Sequence, residues 1–232
     1  LFQSGKRSGL SGAIAGGATE IVVKDAHDSA CNIYPDMLPE QASILRSWAR
    51  HPYSMMAGLD ASFDGVMFTG YHSAASMPTN PLSHTMNGRN VYVKINDIIC
   101  PELFINALTA AYEGKPIYLL TGDKGLCEWL RKMNANIPTV AVSEGMGGAS
   151  LSINPHLAVK RIREAAEKAL SIDPKKLMFP MPDHFRVEIA FRNHTYATNG
   201  SHYPGCVQLD STRVAFESND YMDVLKFFYW VL

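Results

Sequence analysis

Up to about residue 171 the chain alternates short apolar or β-branched runs with helical stretches, and this alternation limits its possible folds more than any other feature. Residues 10–17 read as the end of a small-residue helix, and TEIVVKDAH (19–27) as a buried strand that feeds a polar loop. GVMFTGYH (65–72) repeats that arrangement and also delivers a histidine at its end. NVYVKIN (90–96) alternates and meets a turn at Asn96 and Asp97, as a hairpin or edge strand would. PELFINALTAAYEG (101–114) opens on Pro and ends on Gly, with Leu103, Ala107, Leu108 and Ala111 on one helical stripe. Then come the strand PIYLLTGD (116–123), the helix GLCEWLRKM and the strand TVAVSEG (139–145). The helix NPHLAVKRIREAAEKALS (154–171) is capped by Asn154, with Pro155 in its first turn.

After PKKLMFPMPDHF the pattern changes to the strands FRVEIAF (185–191), GCVQLD (205–210) and RVAFES (213–218), closed by the apolar helix DYMDVLKFFYWVL (220–232). The expected fold class is therefore α/β. Residues 1–172 should form a doubly wound, mainly parallel sheet with helices on both faces, and residues 173–232 a smaller α+β part packed on it. In such sheets ligands bind outside the carboxyl ends of the strands.

Composition narrows the function classes. With 47% hydrophobic residues, 19% charged residues and a formal net charge of −1, the chain has no basic excess of the kind nucleic acid requires. Its apolar runs fall short of the roughly 18 residues of a membrane span, and the opening LFQSGKRSGLSG has no signal-peptide core, so the expectation is a cytoplasmic protein with no membrane partner. Cys31, Cys100, Cys127 and Cys206 are widely spaced with no CxxC pair, which suits reduced structural thiols.

His27 and His72 each lie just past a strand's carboxyl end, on one edge of one sheet if those strands are parallel. Glu102, near a helix start, can bring a carboxylate to the same rim. Two histidines and a carboxylate make a zinc set with a position left for water. Asp25 and Asp28 flank His27 in KDAHDS, and Asp25 can orient its imidazole. The same residues also suit plain structural roles: a strand-end histidine as a hydrogen-bonded loop residue, and Glu102 as a favourable charge on the helix dipole.

VKDAHDSACNI, GLDASFDGVMFTGYHSAASMPTNPLSHTM, INDIICPELFINALTAAYEGKPIYLLTGD and the tail from RVEIAF to VAFES together resemble, in order and context, the zinc D-aminopeptidase family of dipeptide-transport operons, over about residues 12–232. The GYH…SH segment and the DxH strand end carry most of that resemblance. It implies a zinc-dependent aminopeptidase assembled as a ring-like homodecamer. The enzyme would use a metal-activated water to hydrolyse short peptides with an N-terminal D-amino acid such as D-Ala. His27, His72 and Glu102 match metal ligands of the family, and His84 its catalytic histidine. The family holds two zinc ions with the help of an Asp-x-Glu pair in an SxDxEG motif on its first strand, and these 232 residues contain no SxDxEG. The expectation is thus either a longer natural chain or a protein without activity. The alternatives are a non-catalytic oligomeric α/β scaffold or small-ligand binding protein, and a different metal-dependent amidohydrolase.

Other features read as structural. His156 falls in a first helical turn, and His184, His194 and His202 in the irregular C-terminal part. SEGMGGAS (143–150) lacks both GxxxxGK[ST] and GxGxxG and reads as a flexible loop near the site or a subunit contact. KFFYWVL suits core or an oligomer interface.

Overall fold

The computed structural model describes residues 2–232, with side chains from Ser8 onward. It is a mixed α/β fold with a two-stranded, a four-stranded and a five-stranded sheet. Helix α1 (Phe2–Ala15) leads into β1 (Ile21–Lys24), which pairs in parallel with β2 (Ala42–Leu45), Val23 opposite Ile44. β3 (Val66–Tyr71) ends at the loop that leads to β4 (Asn90–Ile95) and β5 (Ile98–Ile99). This hairpin turns at Asn96 and Asp97, both with positive φ (49° and 65°), a conformation that Asn and Asp tolerate in tight hairpin turns.

Helix α2 (Glu102–Tyr112) follows, then β6 (Ile117–Asp123), α3 (Lys124–Met133), β7 (Thr139–Met146), β8 (Ala149–Ser152) and α4 (Pro155–Ala169). β3, β6 and β7 are parallel neighbours, with Phe68 opposite Leu120 and Leu120 opposite Thr139. β8 returns antiparallel to β7, so SEGMGGAS forms the end of a hairpin turning at Gly147 and Gly148, not the flexible loop its glycines suggest. On one face of this sheet Leu119 and Val140 pack on Ile162 and Ala166 of α4. Leu120, which points the other way, joins Leu103, Leu108, Leu126 and Leu130 of α2 and α3 in the main core. Adjacent strand residues thus serve opposite faces, as the pleat requires.

The last part of the chain runs β9 (Phe185–Phe191), α5 (His194–Ser201), β10 (Val207–Gln208), β11 (Arg213–Ser218) and α6 (Tyr221–Val231). β9 lies between β11 and β4, its Ile189 opposite both Val214 and Val93. The C-terminal sheet, in the order β10-β11-β9-β4-β5, therefore draws two strands from before residue 100. Residues 102–110 of α2 are all buried, which fits a helix placed between layers instead of on a surface.

One expectation needs correction. The strand in 19–27 is not buried: Val23 is, but Val22 is exposed, because β1 has β2 on one side and an open cleft of about 1030 Å³ on the other. That cleft lies between β1 and β3, beneath α1. All four cysteines are free thiols, Cys100 and Cys127 buried and Cys31 exposed.

Candidate metal centre

β3 hands the chain to His72, and the hairpin β4–β5 returns it to Glu102, the first residue of α2. The Glu102 carboxylate thus stands at the positive end of a helix, where its charge is favoured. It is almost wholly buried, and its Oε1 accepts a hydrogen bond from the Met86 N–H (2.8 Å). Each of its oxygens faces one imidazole: Oε2 lies 3.6 Å from His72 Nε2, and Oε1 lies 3.5 Å from His84 Nε2. The two rings stack at 4.2 Å between centroids.

The backs of both rings are held alike. His72 Nδ1 lies 3.0 Å from the Ser73 carbonyl oxygen, and His84 Nδ1 lies 2.7 Å from the Leu82 carbonyl oxygen. A carbonyl can only accept, and the Nδ1 contacts are shorter than the 3.5–3.6 Å to Glu102, so the geometry favours the neutral tautomer with its proton on Nδ1 and Nε2 bare on the Glu102 side. Behind Glu102, Asn106 Nδ2 donates to the Tyr71 hydroxyl (2.8 Å). Burial first, and the Glu102 charge second, push the Tyr71 phenol well above its usual range. Burial likewise raises the Cys100 thiol.

His72, His84 and Glu102 offer ligand atoms within 4.8 Å of one another, and among the described residues they are the one His/Cys/Asp/Glu group of this kind. Two bare imidazole nitrogens and a carboxylate are the donors zinc takes, so the residues present fit that ion. His27 lines the same cleft as His72 and Glu102 but stands outside this close group, exposed on the loop after β1. Asp25 is fully buried, and its Oδ2 accepts the Asn32 and Ile33 N–H groups (2.5 and 2.7 Å), which fixes the loop bearing His27.

The remaining histidines lie elsewhere. The His156 N–H is held by the Asn154 cap, and His184 bonds Asn219. Sequence reasoning missed the anchoring of the 72–84 loop by Ser73, Asn80 and Asp123. The one trace of it is Asp123 at a strand-to-helix junction, where it reads as an ordinary helix cap.

Comparison with known proteins fits this geometry. Residues 7–230 match the family model described as D-aminopeptidase. The chain belongs to the D-aminopeptidase family. A D-aminopeptidase of Bacillus subtilis (strain 168) is 29% identical over 219 residues, which span 94% of this chain and 79% of that protein. Among solved structures, the Zn-dependent D-aminopeptidase DppA from Bacillus subtilis, described as a self-compartmentalizing protease, superposes with a TM-score of 0.88 at 27% identity. That match covers 97% of this chain and 82% of the solved one. As a member of a D-aminopeptidase family the protein is a hydrolase of the peptidase class, and its α/β fold is that of the solved relative.

Proposed function

We propose that the protein is a zinc-dependent aminopeptidase that releases an N-terminal D-amino acid, of D-alanine type, from short peptides. The observation that carries this reading is the convergence of His72 Nε2, His84 Nε2 and the Glu102 carboxylate in a D-aminopeptidase chain. His72 and Glu102 would hold the metal, with His27 reaching it from the cleft mouth. When bound there, zinc supplies the Lewis acid that lowers the pKa of water and polarises the scissile carbonyl. His84, the more exposed of the two rings, serves as the catalytic group facing substrate. With Nδ1 fixed on the Leu82 carbonyl, Nε2 is the atom that can take the proton released by the attacking water and, once protonated, stabilise the developing oxyanion or pass that proton to the leaving amine.

Further parts of the reading rest on the same likeness. The family's second zinc and its Asp-x-Glu pair would complete the centre. The self-compartmentalizing relative, together with Leu82, Met146, Leu151 and Trp230 exposed here, supports a closed homo-oligomer, a decamer by family resemblance. A cytoplasmic location, and a division into a metal-site part (1–172) and a packed C-terminal part (173–232), complete the proposal.

The test supplies zinc and measures free amino acid released from D-Ala-D-Ala and L-Ala-L-Ala by the parent protein and its His84→Ala variant. Zinc-dependent cleavage of the D-peptide, lost in the variant, is expected. Preferential cleavage of the L-peptide, or cleavage indifferent to His84, would overturn the assignment.

A further inference from the structure

Ser73 follows His72, and its side chain and backbone are both fully buried against one carboxylate. Asp123 Oδ2 accepts the Ser73 N–H (2.6 Å) and Asn80 Nδ2 (3.1 Å), and Oδ1 accepts the Ser73 hydroxyl (2.6 Å) and the Leu126 N–H (2.9 Å). Asp123 is 1% exposed, so these four bonds are made out of water. The first three reach the loop that carries both histidines; the Leu126 bond alone caps α3. Asn80 passes the hold onward, because its Oδ1 accepts the Leu82 N–H (2.9 Å). Ser73 and Leu82 are the residues whose carbonyls fix Nδ1 of His72 and His84. Thr79 locks the middle of the loop, its hydroxyl 2.7 Å from that of Ser73. A Cβ on Gly125 or Gly145 would lie 2.3 or 2.5 Å from Thr79 atoms, so the loop is pressed onto the start of α3 and the end of β7.

The geometry points to Asp123 as a positioning residue for the metal centre. Through Ser73 on one arm and Asn80 on the other, this single carboxylate sets the ring orientation and tautomer of both histidines, so that both Nε2 atoms face Glu102. The inference deepens the proposed zinc site and rests on that reading for its metal readout, but not for its readout on the metal-free rings.

Asp123→Asn separates this role from plain stabilisation. Asn caps helices about as well as Asp, so α3 keeps its cap through the retained oxygen. The amide nitrogen that replaces Oδ2 then confronts two donors, the Ser73 N–H and Asn80 Nδ2, and the hold on the loop is lost. The measurement is the ring 15N spectrum of metal-free protein, at a pH where both rings are neutral, alongside zinc affinity by chelator competition. The expected result is a fixed Nδ1–H form for both rings in the parent protein and mixed tautomers in Asp123→Asn, with zinc bound about 10- to 100-fold more weakly. Asn80→Ala should loosen His84 and leave His72 in place. Asp220→Asn, at the cap of α6, should leave both rings unchanged. Rings unmoved in Asp123→Asn, or moved as much in Asp220→Asn, would overturn the inference. If the parent binds no zinc while the rings respond as expected, the zinc reading fails and the positioning role stands.

Discussion

Replacing Glu102 by Gln keeps the side chain's shape and removes its charge. The amide oxygen can take the place of Oε1 and still accept the Met86 N–H, so the fold loses no buried bond there and opens no cavity. The variant's metal-free stability should therefore fall by no more than about 1 kcal/mol. Zinc affinity should respond differently. Glu102 divides its two oxygens between the two rings, and the amide puts an NH2 group, a poor ligand, on the His72 side. Residues that merely support a metal ligand are worth about 10- to 100-fold in affinity, so losing a charged ligand should cost at least about 100-fold, or ~2.8 kcal/mol. Urea unfolding measures the first quantity and competition with a chromophoric chelator the second. Zinc affinity within about threefold of the parent would refute the ligand role of Glu102, and a large loss of metal-free stability would show that its charge serves the fold.

Two further predictions concern groups away from the metal. In native protein at neutral pH, Cys31 should react with a disulfide reagent first and the half-buried Cys206 more slowly. Cys100 and Cys127 should react only on unfolding, since burial pushes the Cys127 thiol up to about 12; four thiols reacting at one rate would contradict this. Asp210 accepts the Thr212 and Arg213 N–H groups and pairs with the Arg213 guanidinium, which together hold its carboxyl down at about 2. A depressed carboxyl stabilises the fold above its unfolded value and loses that contribution as pH falls through its folded value. Asp210→Asn should thus lower the thermal midpoint at neutral pH and converge with the parent between about pH 4 and pH 2, as scanning calorimetry across that range would show.

The alternation of strands and helices made the α/β layers legible, because the β3, β6, β7 sheet and its flanking helices each bury a face that leaves its period in the sequence. Pairing between distant strands leaves no such mark. Nothing local in NVYVKIN says that Val93 will face Ile189, 96 positions further along the chain, nor that a strand at 42–45 will flank β1. In the site, His72 and Glu102 were readable because each sits at the end of an element, where topology directs it to the sheet's rim. His84 sits in a loop, and its approach to the same carboxylate depends on Ser73, Asn80 and Asp123, which are ordinary turn and cap residues by sequence. The convergence of their hydrogen bonds exists only in three dimensions.

The antiparallel pairing of β4 with β9 bears on how the site is born. The short β4–β5 hairpin leads directly into the helix that starts at Glu102, and β4 gains its long partner only when residues 185–191 are available. On a ribosome, these residues are made only after β4, α2 and the whole β6–α4 stretch. A bare hairpin is marginal on its own, so a nascent chain keeps its carboxylate loosely placed until residues 185–191 have been made. For a peptidase, this order of events ties the firm placing of Glu102 to the arrival of a strand made long after it.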